Sequence, residues 1–260
     1  LPFQTWLPDA GVAPSPVTAL LHAAVLVKIG VYVFARLFIV TLILSAFWQS
    51  AILFIVGLSA LISAGAAMIE TDMKRIIAYS TISQIGFIFL GLAAGNELAI
   101  AGGLLYILMH GLAKAGLFLC AGIVEHSAKT KDITKMGGLF QQMPITAFSF
   151  LFCSLSVMGI PPFGGFWSKY MVLTGAAQEH IYVSLMFLFG AVMTIIYLFR
   201  IFRLIFLGES KLEHPHHEGT SIMVFCVALL AVLSLAGGIL VNYPGWLVQS
   251  AVIQMLVIAK

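Results

Sequence analysis

Seven stretches of this 260-residue chain are long and apolar enough to cross a lipid bilayer. A helix that spans the roughly 30 Å hydrocarbon core needs about 20 consecutive, mostly apolar residues. The stretches cover residues 16–38, 48–69, 75–95, 98–124, 144–175, 181–207 and 221–241. Only 9% of the residues are charged, against about 25% in an average soluble domain. The sequence therefore predicts an all-α polytopic membrane protein with about seven transmembrane helices.

The predicted helices divide the chain into six regions. Residues 1–15 are rich in proline and too short to span, and we assign them to the second half of a broken helix and a loop. The other regions are four helices in residues 16–124, a loop in 125–143, a broken helix and the next helix in 144–208, a polar loop in 209–220, and a last helix with a tail in 221–260. The tail after residue 243 is either a partial span or an interfacial segment. Residues 39–47 are apolar enough for a short helix at membrane level.

Lysine and arginine concentrate on one side of the predicted bundle. The loops after the second, fourth and sixth helices lie on the same side, because consecutive helices cross in alternate directions. These loops or their edges hold eight of the thirteen basic residues, namely Lys74, Arg75, Lys129, Lys131, Lys135, Arg200, Arg203 and Lys211. The opposite loops near Asn96 and Glu179 hold none, and Arg36 is the exception at a helix end. Since basic loops stay on the cytoplasmic side, we assign residues 125–143 to that side or to its matrix or stromal equivalent.

The fifth apolar stretch is interrupted between Gly159 and Lys169. The interruption contains two prolines and three glycines: Gly159, Pro161, Pro162, Gly164 and Gly165. Proline removes a backbone donor and clashes with the preceding turn, so a helix must break here. Inside a bilayer, such a break is tolerated only where the backbone is buried in protein or lines a watery cavity. A broken membrane helix followed by a lysine at mid-depth is typical of transport proteins.

A faint internal repeat accompanies this break. Pro2-Phe3 followed by Trp6 resembles Pro162-Phe163 followed by Trp167. Five membrane crossings separate the two segments, and each crossing reverses the direction of the chain. After an odd number of crossings, equivalent segments have opposite orientations. The sequence thus predicts an inverted repeat with paired broken helices, the second repeat comprising residues 48–124 and 144–208. The start at Leu1 has no initiator methionine and no signal-peptide pattern, so we expect a fragment that lacks preceding helices.

Five basic side chains lie well inside the predicted helices: His22, Lys28, His110, Lys114 and Lys169. A lysine near the bilayer centre costs about 2.5–3.5 kcal/mol on insertion scales, so three together indicate a function. For any single lysine, a side chain that snorkels to the interface is the alternative. For a single histidine, the alternative is a core residue bonded to a backbone carbonyl.

The spacing of these residues predicts how they are arranged. Tyr106, His110 and Lys114 follow one another at intervals of four residues and share one helix face, where they could pass protons through intervening water. His22 and Lys28 are six residues apart and face different neighbours. The polar groups in residues 75–95 are predicted to hold water or to bond neighbouring helices; they are Ser80, Ser83 and Gln84.

All ten acidic residues lie in loops or at the ends of predicted helices. The buried lysines therefore have no carboxylate partner deep in this chain, and desolvation favours their neutral form. We expect that they cycle between charged and neutral forms, and that a carboxylate lies in the missing part or in a neighbouring subunit. The three cysteines are scattered and the His214–His217 run is typical of a solvated loop, so we expect no metal site. We also expect no cofactor, no catalytic residue and no nucleic-acid partner.

Several motifs together resemble a known family. They are LPFQTWLPD at residues 1–9, PSPVTALLHAAVLVKIGVYVFA at 14–35, TDMKRIIAYSTISQIG at 71–86, MHGLAKAGLFLCAG at 109–122, MGGL at 136–139, and residues 159–169. The chain resembles the antiporter-like subunits (L, M and N type) of proton-pumping NADH:quinone oxidoreductase, respiratory complex I. It is equally similar to the large subunits of Mrp Na⁺/H⁺ antiporters and of membrane-bound hydrogenases.

This resemblance implies roles for particular residues. The predicted helices would be helices 8 to 14 of the family, with residues 1–9 the second half of broken helix 7. His22 and Lys28 match proton-path positions of helix 8, His110 and Lys114 those of helix 11, and Lys169 the terminal lysine of broken helix 12. Some members have glutamate where this chain has Lys169, and the long lateral helix of L-type subunits is not visible in the tail. The family's helix-5 glutamate and helix-7 lysine would precede Leu1.

The resemblance also implies a function. We expect a proton-translocating subunit of a redox-driven complex that has no redox chemistry of its own and that binds other membrane subunits and the lipid bilayer. The alternatives are an Mrp-type antiporter subunit that carries Na⁺, a membrane subunit of a hydrogenase or formate hydrogenlyase, and a non-conducting scaffold. The expected location is a bacterial or archaeal inner membrane, with an organellar inner membrane as the alternative.

Overall fold

The computed structural model describes residues 3–42, 44–209 and 218–258. Lys211, His214–His217, Lys260 and the first two residues lie outside this part of the chain. The helices in the described part are α1 Trp6–Asp9, α2 Ser15–Ala19, α3 Leu26–Phe34, α4 Ala46–Ile69, α5 Met73–Ala93, α6 Glu97–Ala128, α7 Pro144–Met158, α8 Gly164–Ala177, α9 Ile181–Phe206, α10 Ser221–Ile239 and α11 Asn242–Ile258. Two short 3₁₀ helices, Ala10–Val12 and Ile133–Lys135, complete the loops.

Six continuous segments are long and apolar enough to cross a membrane. They are Ser15–Thr41, which includes α2 and α3, and the helices α4, α5, α6, α9 and α10. The broken pair α7 and α8 makes the seventh, and the described residues contain no β-strand. The predicted all-α membrane architecture is confirmed. The centre of the bundle is formed by α5 and α6. The most apolar parts of these two helices are 78% and 67% buried inside the protein, whereas those of the other four segments are 22–33% buried.

The first membrane segment is not a regular α-helix. Two π-helical turns, Leu20–Ala24 and Ala35–Thr41, interrupt it. Each π turn accommodates an extra residue and changes the direction in which the following side chains point. Residues 39–41 continue this segment, and α4 begins at Ala46. The expected separate helix in residues 39–47 was therefore wrong.

The loops after α4, α6 and α9 meet at one end of the bundle. The backbone N–H of Met73 donates to the carbonyl of Lys131 at 2.9 Å, and that of Ile133 donates to Thr71 at 3.0 Å. The N–H of Phe140 donates to the carbonyl of Phe206 at 3.0 Å. We call this the basic end, because these loops carry the clustered lysines and arginines. At the other end the Asn96 side chain donates to the carbonyl of Gly175 at 2.7 Å.

The break in the fifth span lies between Met158 and Gly164. Gly159 ends α7 with φ +82°, a left-handed conformation that glycine adopts without steric cost. Helix α10 passes directly against the break, since a Cβ atom at Gly238 would overlap the carbonyl oxygen of Pro162. The proposed twin break at the start of the chain is represented in the described part only by the single turn α1, so the pairing of two broken helices stays a prediction.

The tail forms α11, which packs against the Asn96 end of α6. Val252 is buried there in one core cluster with Ile100 and Ala101. The assignment of this helix as a partial span or as an interfacial segment stays a prediction.

Candidate functional site

Lys169 is buried beside the break that precedes it. Its Nζ donates to the carbonyl oxygen of Val157 at 2.7 Å. In an unbroken helix that oxygen would accept from residue 161, which is a proline and has no N–H. The break therefore creates the acceptor that holds the lysine. The Nζ also lies 4.5 Å from the ring centroid of Phe87 and 5.7 Å from that of Tyr106, where aromatic faces attract a cation.

Lys114 crosses from α6 to α5. Its Nζ donates to the carbonyl of Ile77 at 3.1 Å and is hydrogen-bonded to the Ser80 hydroxyl. That hydroxyl also donates to Ile77 at 3.0 Å. Lys114 and Ser80 are both fully buried. One α5 carbonyl and one hydroxyl thus replace the water that a lysine would normally bind.

Lys28 joins the first membrane segment to α6. Its Nζ donates to the carbonyl of Ile107 at 2.8 Å and lies 3.1 Å from Nδ1 of His110. When Lys28 is charged it has only donors, so Nδ1 must accept and a neutral His110 carries its proton on Nε2. His22 packs its ring 4.8 Å from that of Phe118. Within the part of the chain that the structure describes, both of its nitrogens and Nε2 of His110 are buried without a protein hydrogen-bond partner.

The three predicted lysines share one chemical feature. Each binds one main-chain carbonyl together with a neutral side chain: an imidazole for Lys28, a hydroxyl for Lys114 and aromatic rings for Lys169. The ion pairs among the described residues involve other cations, namely Lys74, Arg75, Lys131 and Lys135. In the described chain these three lysines are therefore held without a carboxylate.

The predicted polar face of α5 bonds neighbouring helices. Oε1 of Gln84 accepts from the Tyr106 hydroxyl at 2.6 Å, and Nε2 donates to the Thr194 hydroxyl at 3.1 Å. The Ser83 hydroxyl is buried with no partner among the described protein residues. Thr194 and Tyr197, both fully buried on α9, were not predicted from the sequence. Their spacing of three residues in an otherwise apolar part of the helix could have indicated a shared polar face.

Lys74 lies at the start of α5, at the edge of a loop, but its burial was not predicted from the sequence. Its side chain is only 4% exposed and pairs with Glu125 at 2.6 Å. Because Lys131 also lies 3.5 Å from Glu125, this carboxylate joins two lysines of the basic end. The fold thereby buries a charge that local sequence places next to water.

No group of three or more histidine, cysteine or acidic residues in the described parts of the chain could hold a metal ion. The His214–His217 run lies outside those parts. Cys120 and Cys153 are buried free thiols, and Cys226 is half-buried.

A helical bundle with one broken helix and a lysine buried beside the break is the architecture of an integral membrane protein, and many transporters share it. Residues 1–194 match the transmembrane family of NADH:quinone oxidoreductase and Mrp antiporters. The chain belongs to that family.

Curated relatives include two named subunits of quinone oxidoreductases. NADH-quinone oxidoreductase subunit L of Rickettsia conorii is 40% identical over 252 residues, which are 92% of this chain and 36% of the relative. The chloroplastic NAD(P)H-quinone oxidoreductase subunit 5 of Chaetosphaeridium globosum is 36% identical over 97% of this chain and 40% of its own length. The chain thus spans well under half the length of these relatives.

Solved structures share the fold. A chain of the Mrp complex from Dietzia sp. DQ12-45-1b aligns with a TM-score of 0.91 at 22% identity, over 98% of this chain and 56% of that one. Respiratory complex I from Thermus thermophilus with bound NADH gives 0.85 at 27% identity over 98% and 55%. The membrane-bound sulfane sulfur reductase, an archaeal respiratory membrane complex, gives 0.90 at 27% identity over 98% and 53%. These neighbours are multi-subunit membrane complexes.

Proposed function

We propose that the chain belongs to a proton-translocating, antiporter-like membrane subunit of a redox-driven complex of the NADH:quinone oxidoreductase type. The family and the subunit L and subunit 5 relatives support this assignment. Partner subunits would carry the redox chemistry, and this chain would move charge. The bacterial and chloroplast relatives fit a bacterial inner membrane or an organellar membrane.

The observation that carries the proposal is the pairing of Lys28, Lys114 and Lys169 with neutral groups. A carboxylate would stabilise the charged lysine and would itself be left unpaired when the lysine lost its proton. A carbonyl and a hydroxyl bind the ammonium, and the hydroxyl can also donate to the neutral amine. Such a site tolerates both protonation states, which a group that loads and releases protons requires.

The geometry supports a sequence of transfers across the bundle. Lys28 contacts His110 directly, and Lys114 lies one turn further along α6. Buried polar atoms without protein partners occur near this line at His22, Ser83 and Nε2 of His110. Buried polar groups are normally satisfied by hydrogen bonds, and ordered water supplies those that protein does not. We infer that water completes the path that ends at Lys169.

Replacement of Lys169 by alanine in the complete protein, assembled with its partner subunits, tests the proposal. We expect that Lys169→Ala assembles but loses proton pumping, measured as protons taken up by inverted membrane vesicles per NADH oxidised. Lys135→Ala is the matched control, because Lys135 is 73% exposed at the basic end. A normal ratio of protons to electrons in Lys169→Ala would refute the proposal.

The fold likeness to the Mrp complex favours one second candidate, exchange of Na⁺ for protons. The same lysines would bind the protons in this exchange, because each cycle carries protons one way and Na⁺ the other. Adding Na⁺ to vesicles loaded with protons distinguishes the two candidates. Proton movement that starts on addition of Na⁺, without NADH, supports exchange, whereas movement that depends on NADH and ignores Na⁺ supports the redox-driven subunit.

A further inference from the structure

Helix α9 places two hydroxyl groups between the Lys114 and Lys169 sites. Thr194 and Tyr197 have no exposed surface. The Tyr197 hydroxyl lies 3.3 Å from that of Thr194. Neither residue belongs to the motifs from which the family resemblance was drawn.

The bonds of Thr194 determine the orientation of Gln84. The single hydroxyl proton of Thr194 goes to the carbonyl of Gly190 at 2.8 Å. Its oxygen must therefore act as acceptor towards Nε2 of Gln84 at 3.1 Å and towards Tyr197. With its NH₂ group directed at Thr194, Gln84 presents Oε1 to the Tyr106 hydroxyl at 2.6 Å.

These hydrogen bonds extend to groups that contact Lys169 and lie close to the group that binds Lys114. Gln84 holds the hydroxyl of Tyr106, whose ring centroid lies 5.7 Å from Nζ of Lys169. Ser80, the hydroxyl that binds Lys114, lies one turn before Gln84 on the same face of α5. One helix without a buried lysine of its own thus orients an α5 residue that lies next to the partner groups of two lysines.

We propose that Thr194 and Tyr197 are positioning residues that couple the Lys114 and Lys169 sites. Thr194, which also contacts the Tyr197 hydroxyl, sets the Gln84 amide and through it the Tyr106 ring beside Lys169. Gln84 in turn lies one turn from Ser80, which binds Lys114. The inference rests on the proposed proton-translocating function and extends it to α9. The alternative is a set of interhelical bonds that only stabilise the bundle.

The test uses Thr194→Val in the complete protein within its assembled complex. Valine keeps the shape of threonine but cannot bond Gln84, so the amide and Tyr106 lose their fixed orientation. We expect protons pumped per NADH oxidised to fall about fivefold, the effect of one lost hydrogen bond. Thr194→Ser restores the hydroxyl and should restore most pumping, which a loss of packing alone would not predict.

Thr174→Val is the matched control, because the Thr174 hydroxyl bonds only carbonyls of its own helix α8. Normal pumping by Thr194→Val, or equal loss in Thr194→Val, Thr194→Ser and Thr174→Val, would overturn the inference. If Thr194→Val does not accumulate in the membrane, Tyr197→Phe takes its place, and normal pumping by that variant overturns the inference too. Lys169→Ala, measured in parallel, separates the two proposals. If Lys169→Ala loses pumping while Thr194→Val pumps normally, the role of α9 is refuted and the proton-translocating function is not.

Discussion

Two groups of buried or half-buried cations in this protein are stabilised in opposite ways. At the basic end, Lys74 pairs with Glu125 at 2.6 Å, and Arg75 pairs with Asp9 at 2.9 Å and with Glu70 at 3.0 Å. In the membrane interior, Lys114 and Lys169 bind carbonyls and neutral side chains. The two groups do not differ in burial, since Lys74 as a whole residue is 3% exposed and Lys169 is 4% exposed. They differ in the charge of the group that each cation binds.

The partner of each lysine determines how strongly its charged form is stabilised. A carboxylate beside a lysine stabilises the charged form, and at the basic end it joins neighbouring segments of the chain. Carbonyl and hydroxyl groups stabilise the charged form less and would leave no unpaired anion if the proton departed. Under the proposed function, the basic end would thus hold structural charges and the interior lysines would be the ones that change charge.

The largest effect on pumping is expected when an interior lysine is given a carboxylate partner like those at the basic end. Ser80→Asp places a carboxylate beside Lys114 and should hold that lysine in its charged form. Each 1.4 kcal/mol of added preference slows proton release about tenfold, so we expect pumping to fall at least about tenfold. Proton uptake by vesicles per NADH oxidised measures this. Ser80→Asn is the control, because it adds a similar volume without charge; if both variants pump equally, the partner's charge is not what matters.

A smaller effect on stability is expected when the basic end loses its buried cation. Lys74→Met retains the apolar stem of the side chain but leaves Glu125 with only Lys131 at 3.5 Å. Breaking a fully buried ion pair costs about 3–5 kcal/mol. Since Glu125 is 26% exposed, we expect about 1–3 kcal/mol, measured by denaturation of the detergent-purified protein.

Glu125→Gln and the double variant complete a cycle for this pair. The two single losses should not add, because they remove the same interaction. Additive losses would show that Lys74 and Glu125 do not stabilise each other. Proton pumping by the variants that fold should stay close to normal, in contrast with Ser80→Asp.

The smallest effect concerns Glu70, at the basic end. Partial burial raises the pKa of its carboxyl group, but hydrogen bonds from the N–H groups of Thr71 and Asp72 and from Arg75 outweigh this and leave the pKa below its ordinary value. Because the folded pKa is depressed, this stabilisation is present above the unfolded pKa and disappears as the pH falls through the folded pKa.

We therefore expect Glu70→Gln to lower the unfolding temperature slightly at pH 7, by the equivalent of about 0.2–1 kcal/mol, typical of a partly exposed ion pair. As the pH falls below the ordinary pKa of a glutamate, about 4.3, and then through the depressed folded value, the difference between variant and original protein should shrink. A difference that stays constant from pH 7 to pH 3 would contradict the assignment.

Much of the architecture could be predicted from residue order. The hydropathy of a segment is the sum over its own residues, so the membrane segments follow from the local composition. The break between Gly159 and Lys169 follows from the positions of its prolines and glycines. The depth of Lys28, Lys114 and Lys169 follows from their positions within apolar segments. The π turns of the first segment could not be predicted, because no residue pattern there differs from that of an ordinary apolar helix.

The sequence by itself determined that this chain crosses a membrane, that one crossing is broken, and that lysines without nearby acids lie inside. Only the tertiary structure decided what each lysine binds. Carbonyl oxygens are present at every residue, so Ile77 and Ile107 could not be distinguished as acceptors before the helices were packed. Pro161 in the sequence leaves the Val157 carbonyl without its helical donor, but only the packed structure shows that Lys169 binds it. The burial of Lys74 and the reach of Thr194 to Gln84 depend in the same way on contacts between helices that are far apart in the chain.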